Sequence, residues 1–298
     1  MANSATSELI IRQMKPDEIA LALEWAAREG WNPGLDDARC FYAADPDGFL
    51  IALVNGEPVG CISAVSYSDS FGFLGLYIVL PEHRGKRYGI ALWNAAIRKL
   101  GQRNIGLDGV IAQQENYKQS GFKLAHRNIR YQLQPEDRAL AISALDKDQA
   151  TEVRMKIKPL VSYHFSTIAD YDLECFGFNR HGFLENWTNQ PQAFSVGASD
   201  GDKMLGYGII RPCLSGYKIG PLFADSEEVA QVMLHDLLKA VSPEGSIYLD
   251  IPEPNKSGLT LAEKCQMTPV FETARMYTAN DPQLPLQRIY GITSFELG

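Results

Sequence analysis

Cysteine is sparse in this 298-residue chain, and what there is looks unpaired: Cys40, Cys61, Cys175, Cys213 and Cys265 are odd in number, scattered and without a CxxC pair. This excludes a disulfide framework as the organising device and favours reduced thiols, hence a cytoplasmic location. Histidine is equally thin. His83, His126, His164, His181 and His235 show no metal-ligand spacing and no H-E-x-x-H, so no metal site is expected. No apolar run approaches membrane-spanning length, and Met1 to Glu8 is polar without a signal-peptide core, which argues against a membrane partner. Positive charge is in deficit as well. There are 28 Lys plus Arg against 36 Asp plus Glu, a net −8 with no dense basic run, so nucleic acid is not an expected partner. Neither GxxxxGK[ST] nor GxGxxG with a following ribose-binding acid occurs, which removes the support for a nucleoside triphosphate or dinucleotide.

What is present is one basic, glycine-bearing loop. An apolar strand (Leu74, Leu76, Ile78, Leu80) ends at Pro81, and the helical spacing of Ile90, Trp93, Ile97 and Leu100 begins nine residues later. Between them runs Arg84-Gly85-Lys86-Arg87-Tyr88-Gly89. Such a loop at a helix start presents unpaired backbone N–H groups, backed by the positive end of the helix dipole, and so binds phosphate. Gly85 and Gly89 allow close approach to the backbone, while Arg84, Lys86 and Arg87 add charge.

This segment resembles the pyrophosphate loop of the GNAT superfamily of N-acetyltransferases, whose motif [RQ]-x-x-G-x-[GA] follows a strand ending V-x-P, here Val79-Leu80-Pro81. One position departs, the central glycine being Arg87; in a helix-start conformation its N–H would still serve. A second landmark follows in the right order: the short strand Ile105 to Val110, then Tyr117-Lys118-Gln119-Ser120-Gly121-Phe122 before a strand from His126 to Leu133. The superfamily carries Tyr-x-x-x-Gly-Phe in this place. The resemblance implies acetyl-coenzyme A as cosubstrate, held by Tyr77, Ile78, Val79, the loop from Arg84 to Ile90, and Asn116. It implies that Tyr117 protonates the departing thiolate; packing its ring under the sheet is the other reading of that tyrosine.

The chain also reads twice. Phe49 to Val54 turns at Asn55-Gly56 into Val59 to Ser63, a strong hairpin signal, and Ala193 to Val196 turns through Asp200-Gly201-Asp202 into Leu205 to Ile209. Leu107-Asp108 answers to Leu249-Asp250, and the strand through Tyr131 to that through Tyr277. The second copy replaces the basic loop with Ala224-Asp225-Ser226-Glu227-Glu228, which suits a helix start, with Asp225 or Ser226 as N-cap, and would repel a pyrophosphate. The expected fold is α/β (α+β): two tandem GNAT-like domains, each a mixed, mostly antiparallel sheet flanked by helices. They would be an acetyltransferase domain at 1–137 and a degenerate copy at 138–298, joined by linker and helix from about Pro135 to Glu152. Short motifs narrow the resemblance to tandem GNAT proteins: Gly30-Trp31-Asn32-Pro33-Gly34; Arg180, Phe183, Leu184 and Trp187; Gly220-Pro221-Leu222. That form implies a monomer with a built-in pseudo-dimer, or a weak homodimer, and a buried closing tail at Ile289 to Ile292 and Phe295.

The implied reaction is direct attack of a primary amine, on a small molecule, upon the thioester. An amine reaches the site as ammonium and must lose a proton before it can attack. Glu29, Glu82 and Asp108 are open as the base, and Trp31 and Asn32 stand where the superfamily builds its acceptor wall. A non-catalytic acyl-coenzyme A-binding or sensing module is the alternative, and a chemistry placed on Tyr248, Asp250 or Tyr277 of the second half is opposed by its acidic loop.

Overall fold

The computed structural model describes residues 8–146 and 155–298; most of the polar start and residues 147–154, the end of the expected linker, lie outside the described residues. The first half contributes β1 (Leu9–Gln13), α1 (Ile19–Arg28), α2 (Asp37–Ala44), β2 (Phe49–Val54), β3 (Glu57–Ser66), β4 (Phe71–Val79), α3 (Tyr88–Leu100), β5 (Asn104–Val110), α4 (Gln114–Gln119) and β6 (Lys123–Leu133). After α5 (Arg138–Leu145) come β7 (Lys156–Pro159), α6 (Phe165–Phe176), α7 (His181–Trp187), β8 (Phe194–Asp200), β9 (Lys203–Pro212) and β10 (Tyr217–Ala224). The chain closes with α8 (Glu227–Ala240), β11 (Ile247–Pro252), α9 (Lys256–Lys264), β12 (Thr268–Tyr277) and β13 (Ile289–Gly291).

Local chemistry sets these boundaries. Asn55 and Gly56 both take positive φ, 52° and 86°, which gives the β2–β3 hairpin a turn whose twist matches its strands. Helix α3 ends at Gly101, with Arg98 and Lys99 in the last turn where the dipole is negative. Helix α8 starts on Ser226, whose Oγ accepts from the Val229 N–H at 3.4 Å, and carries Glu227 and Glu228 in its first turn.

The strands form one continuous sheet, ordered β1-β2-β3-β4-β5-β12-β6-β11-β10-β9-β8-β7, with β13 joined to β10. Only β4–β5 and β10–β11 pair in parallel among the described strands. A pseudo-twofold axis runs between β12 and β6. Each half therefore gives its closing strand to the other: β12 pairs with β5 of the first half, and β6 pairs with β11 of the second. Two buried ion pairs sit at equivalent places on these crossings. Asp108 on β5 accepts from Arg275 on β12 at 2.9 and 2.6 Å, and Asp250 on β11 accepts from Arg130 on β6 at 2.7 and 2.7 Å.

Helix α3 covers one face of the first half, setting Leu92, Trp93, Ala96 and Leu100 on Val59, Ile62 and Leu74. Helix α8 does the same for the second half, setting Val229, Met233, Leu234 and Leu237 on Val196, Ile210 and Leu222. The opposite faces share one core, in which α2 meets α7 and Phe41 stacks on Trp187 at 6.2 Å between ring centroids. The fully buried Asp37–Arg211 pair, at 2.8 Å, ties that junction from opposite halves.

Candidate active site

In the first half β4 and β5 pair in parallel only from Phe71↔Asn104 to Leu74↔Leu107, then part. A bulge helps to drive the separation. Cys61 opposes Ile78 and Ser63 opposes Gly75, so Leu76 and Tyr77 together face Ile62, and Leu76 sits at φ 45°. Between the parted strands opens a cleft of about 500 Å³. Gly75 to Val79 form one wall and Leu107 to Val110 the other, with Arg84 at one end.

Beyond the cleft the loop is held close to strand β4. Gly85 is at φ 76° with open space where a Cβ would be. A Cβ on Gly89 would come within 2.7 Å of the Tyr77 hydroxyl, so a larger residue there would have to push the Tyr77 side chain aside. Arg84 is oriented by its Nε bond to the Val79 carbonyl at 2.8 Å and by an ion pair with Glu29. Lys86 and Arg87 are exposed, Tyr88 and Gly89 open the helix, and Ile90 is exposed. Arg87 is not in a helix-start conformation. It takes φ 68°, ψ 8°, the left-handed region that the missing glycine of the motif would adopt without strain.

Tyr117 projects from α4 into the same cleft. Its ring stacks on Trp93 at 5.7 Å and lies edge-on to Phe122 at 6.5 Å. Gly109 has no room for a Cβ beneath it. Burial first, and the nearby Tyr77 second, push the Tyr117 phenol up to about 12, so it is fully protonated at neutral pH. Tyr117 thus packs against its neighbours and also lines the cleft.

Of the expected acceptor residues, Trp31 lines the cleft. Asn32, at φ 52°, instead ties the loop to the second half through a reciprocal pair with Ser215, both bonds 2.9 Å. Lys218 donates to the Asn32 carbonyl at 3.0 Å. Asn116 stands outside the cleft lining and donates to Gln113 at 2.6 Å. Of the three candidate bases, Glu29 and Asp108 line the cleft. Glu82 is exposed and off the cleft, Glu29 holds Arg84, and Asp108 is locked by Arg275 and by Asn128 at 2.8 Å. Sequence reasoning missed the second half's share of the site. Phe271 and Thr273 on β12, and Phe295 and Glu296 in the closing tail, line the same cleft. The apolar tail signalled that it would be buried, and it is; where it would go carried no local signal.

In the second half the equivalent opening is filled. Strands β10 and β11 pair from Tyr217↔Ile247 to Ile219↔Leu249 and then part, with a matching bulge at Gly220 and Pro221. Strand β13 occupies the gap, pairing with Leu222 and Phe223, and the Ile292 N–H donates to the Asp250 carbonyl at 2.9 Å. Asp225, before α8, is engaged by Lys203 at 3.3 Å and Arg288 at 2.9 Å. No group of metal-ligating side chains is assembled among the described residues, and no helix there is long and apolar enough to cross a membrane.

Parted parallel strands lead to a glycine-bearing helix start, with a protonated phenol alongside. The chain belongs to the GNAT superfamily and carries two of its domains in tandem. Residues 17–122 match the acetyltransferase (GNAT) family and residues 168–291 match an acetyltransferase (GNAT) domain. Among its relatives, the holothin acyltransferase of Pseudoalteromonas sp. (strain SANK 73390) is 29% identical over 282 residues, 95% of this chain and 92% of that protein. An uncharacterized N-acetyltransferase of Bacillus subtilis (strain 168), YitH, is 24% identical over 68% of each. The fold is shared with a candidate acetyltransferase from Pyrococcus horikoshii (TM-score 0.78, 23% identity, 100% of this chain and 99% of that one). It is shared too with a tandem GNAT protein from the clavulanic acid biosynthesis pathway (TM-score 0.64, 12% identity, 92% of this chain and 100% of that one).

Proposed function

We propose that the protein transfers an acetyl group from acetyl-coenzyme A to a primary amine of a small molecule, by direct attack within a ternary complex in the first-half cleft. The observation that carries this reading is the continuity of that cleft. One cleft is lined by Arg84 at the start of the phosphate-type loop, by Leu76 and Tyr77 of the bulge, and by Tyr117. Acyl transfer is favoured further by a relative, matched over nearly its whole length, that bears the name holothin acyltransferase.

In this reading the backbone N–H groups of the loop, with Arg84 and Lys86, hold the pyrophosphate. The strand edge from Tyr77 to Val79 aligns the pantetheine arm and polarises the thioester carbonyl. Tyr117 faces the departing sulfur. A phenol raised to about 12 is a weaker acid than an ordinary thiol near 8.5. Tyr117 therefore acts chiefly by hydrogen-bonding to the developing thiolate, and the proton that ends on sulfur is made good by one shed from the amine. The acidic start of α8 and the filling of the second opening by β13 support coenzyme A binding to the first half alone. We assign the protein to the cytoplasm as a monomer whose halves form the pseudo-dimer, acting on neither nucleic acid nor membrane.

The test is thiol release from acetyl-coenzyme A over a panel of primary amines. Turnover is expected, and Tyr117→Phe should lower kcat by about 10²–10³, the cost of one donor aimed at developing charge, while leaving acetyl-coenzyme A affinity within a few-fold. Binding without thiol release from any amine would identify a sensing module instead.

A further inference from the structure

The closing tail does two things in succession. It fills the second-half opening as β13, and then crosses to the first-half bulge. Ile292 to Leu297 are all buried. Thr293 Oγ1 accepts from Arg180 at 2.9 Å, and the Leu297 carbonyl accepts from Tyr67 at 2.8 Å. The backbone of Glu296 lies directly against Gly75, where no side chain larger than hydrogen fits, one residue before the bulge. The tail is thereby fixed beside the point at which acyl transfer would occur.

Glu296 is only 4% exposed and lines the cleft, yet its carboxylate has no hydrogen bond or ion pair among the described residues. The other carboxylates nearby are engaged: Glu29 by Arg84, Asp108 by Arg275, Asp250 by Arg130. Arg130, Arg211 and Lys218 are near enough to feel its charge. Each is committed elsewhere, Arg130 to Asp250, Arg211 to Asp37, and Lys218 to the Trp31 and Asn32 carbonyls. The Glu296 carboxylate oxygens keep contact with solvent, and the cleft that the residue lines is the direction from which a cation can reach them. Around it stand Trp31, Phe271 and Phe295, an aromatic wall.

We infer that Glu296, contributed by the second half, binds the ammonium of the acceptor and takes its proton, and that the acceptor is an amine with an aromatic or apolar body. This rests on the acyl-transfer reading above. In the step, the ammonium N–H bond breaks and its proton passes to the Glu296 carboxylate. The freed lone pair forms the N–C bond as the C–S bond breaks, and the second amine proton leaves toward the thiolate beside Tyr117. The tandem form then has a chemical reason, because the first half binds the acyl donor and the second supplies the acceptor's counter-charge.

The test compares the full-length protein with Glu296→Gln and Glu296→Asp, using acetyl-coenzyme A and 2-phenylethylamine. Glu296→Gln should bind acetyl-coenzyme A within about two-fold by calorimetry. It should lose about 10²–10⁴ in kcat/KM for the amine and weaken amine binding to the coenzyme A complex at least ten-fold. Glu296→Asp should recover part of each, and carries the test alone if the glutamine variant does not fold. Turnover and amine binding within a few-fold of the parent in a folded variant would overturn the assignment of Glu296 and leave the acyl-transfer reading intact. Absence of thiol release from the parent with every amine of the panel would overturn both.

Discussion

The exchanged closing strands make a sharp energetic prediction at Asp108. Its carboxylate is fully buried and takes two bonds from Arg275, whose side chain is 6% exposed. Asp108→Ala leaves that guanidinium charged in a site from which water is excluded. Breaking a buried pair from one side costs about 3–5 kcal/mol, and at about 2–4 °C per kcal/mol for a chain of this size the melting temperature should fall by about 6–20 °C. A double-mutant cycle with Arg275→Met, read by urea unfolding, should return a coupling of about 1–3 kcal/mol. The same cycle between Asp108 and Arg130, the arginine of its own half, should be additive to within about 0.5 kcal/mol, since β12 lies between β5 and β6. The reverse result, coupling to Arg130 and none to Arg275, would mean that each half keeps its own closing strand.

Two further outcomes follow from single residues. Arg87→Gly should leave stability unchanged or raise it by up to about 1 kcal/mol, because a left-handed φ costs a side-chain-bearing residue about that much; a loss of 1 kcal/mol in chemical denaturation would place Arg87 in ordinary helical conformation. His126 is driven down to about 3 by burial and then by Arg275, so the folded state binds fewer protons than the unfolded one below the ordinary value of 6.5. Its contribution is complete above pH 6.5 and lost as pH falls toward 3; His126→Gln should flatten unfolding free energy between pH 6.5 and 5, and an unchanged slope would count against a neutral buried imidazole.

The elements of the proposed acyl-donor site were legible because their signals are local. Pro81, Gly85, Gly89 and the period of Ile90, Trp93 and Ile97 each report on a few neighbouring residues. The Asn55-Gly56 turn and the contrast between Arg84–Gly89 and Asp225–Glu228 are of the same kind. Arg87 shows the limit of that locality: the departure from glycine was visible, but the left-handed backbone it would be held in was not. The exchange of β6 and β12 was invisible for a different reason. Each strand has the same apolar pattern whether it closes its own half or the other, and the choice is made by partners more than a hundred residues away, Asp108 with Arg275 and Asp250 with Arg130. Glu296 was hidden likewise. A lone glutamate in an apolar tail reads as a solvated residue until the tail is seen to cross the axis and lodge against Gly75.

Titration calorimetry of acetyl-coenzyme A into the full-length protein tests the central claim, that one half holds the acyl donor while the other is closed to it. One site per chain is predicted, lost on joint replacement of Arg84 and Lys86 by glutamate and unchanged on replacement of Asp225 by asparagine. Two equivalent sites, or a single site indifferent to the Arg84 and Lys86 replacements, would contradict the account.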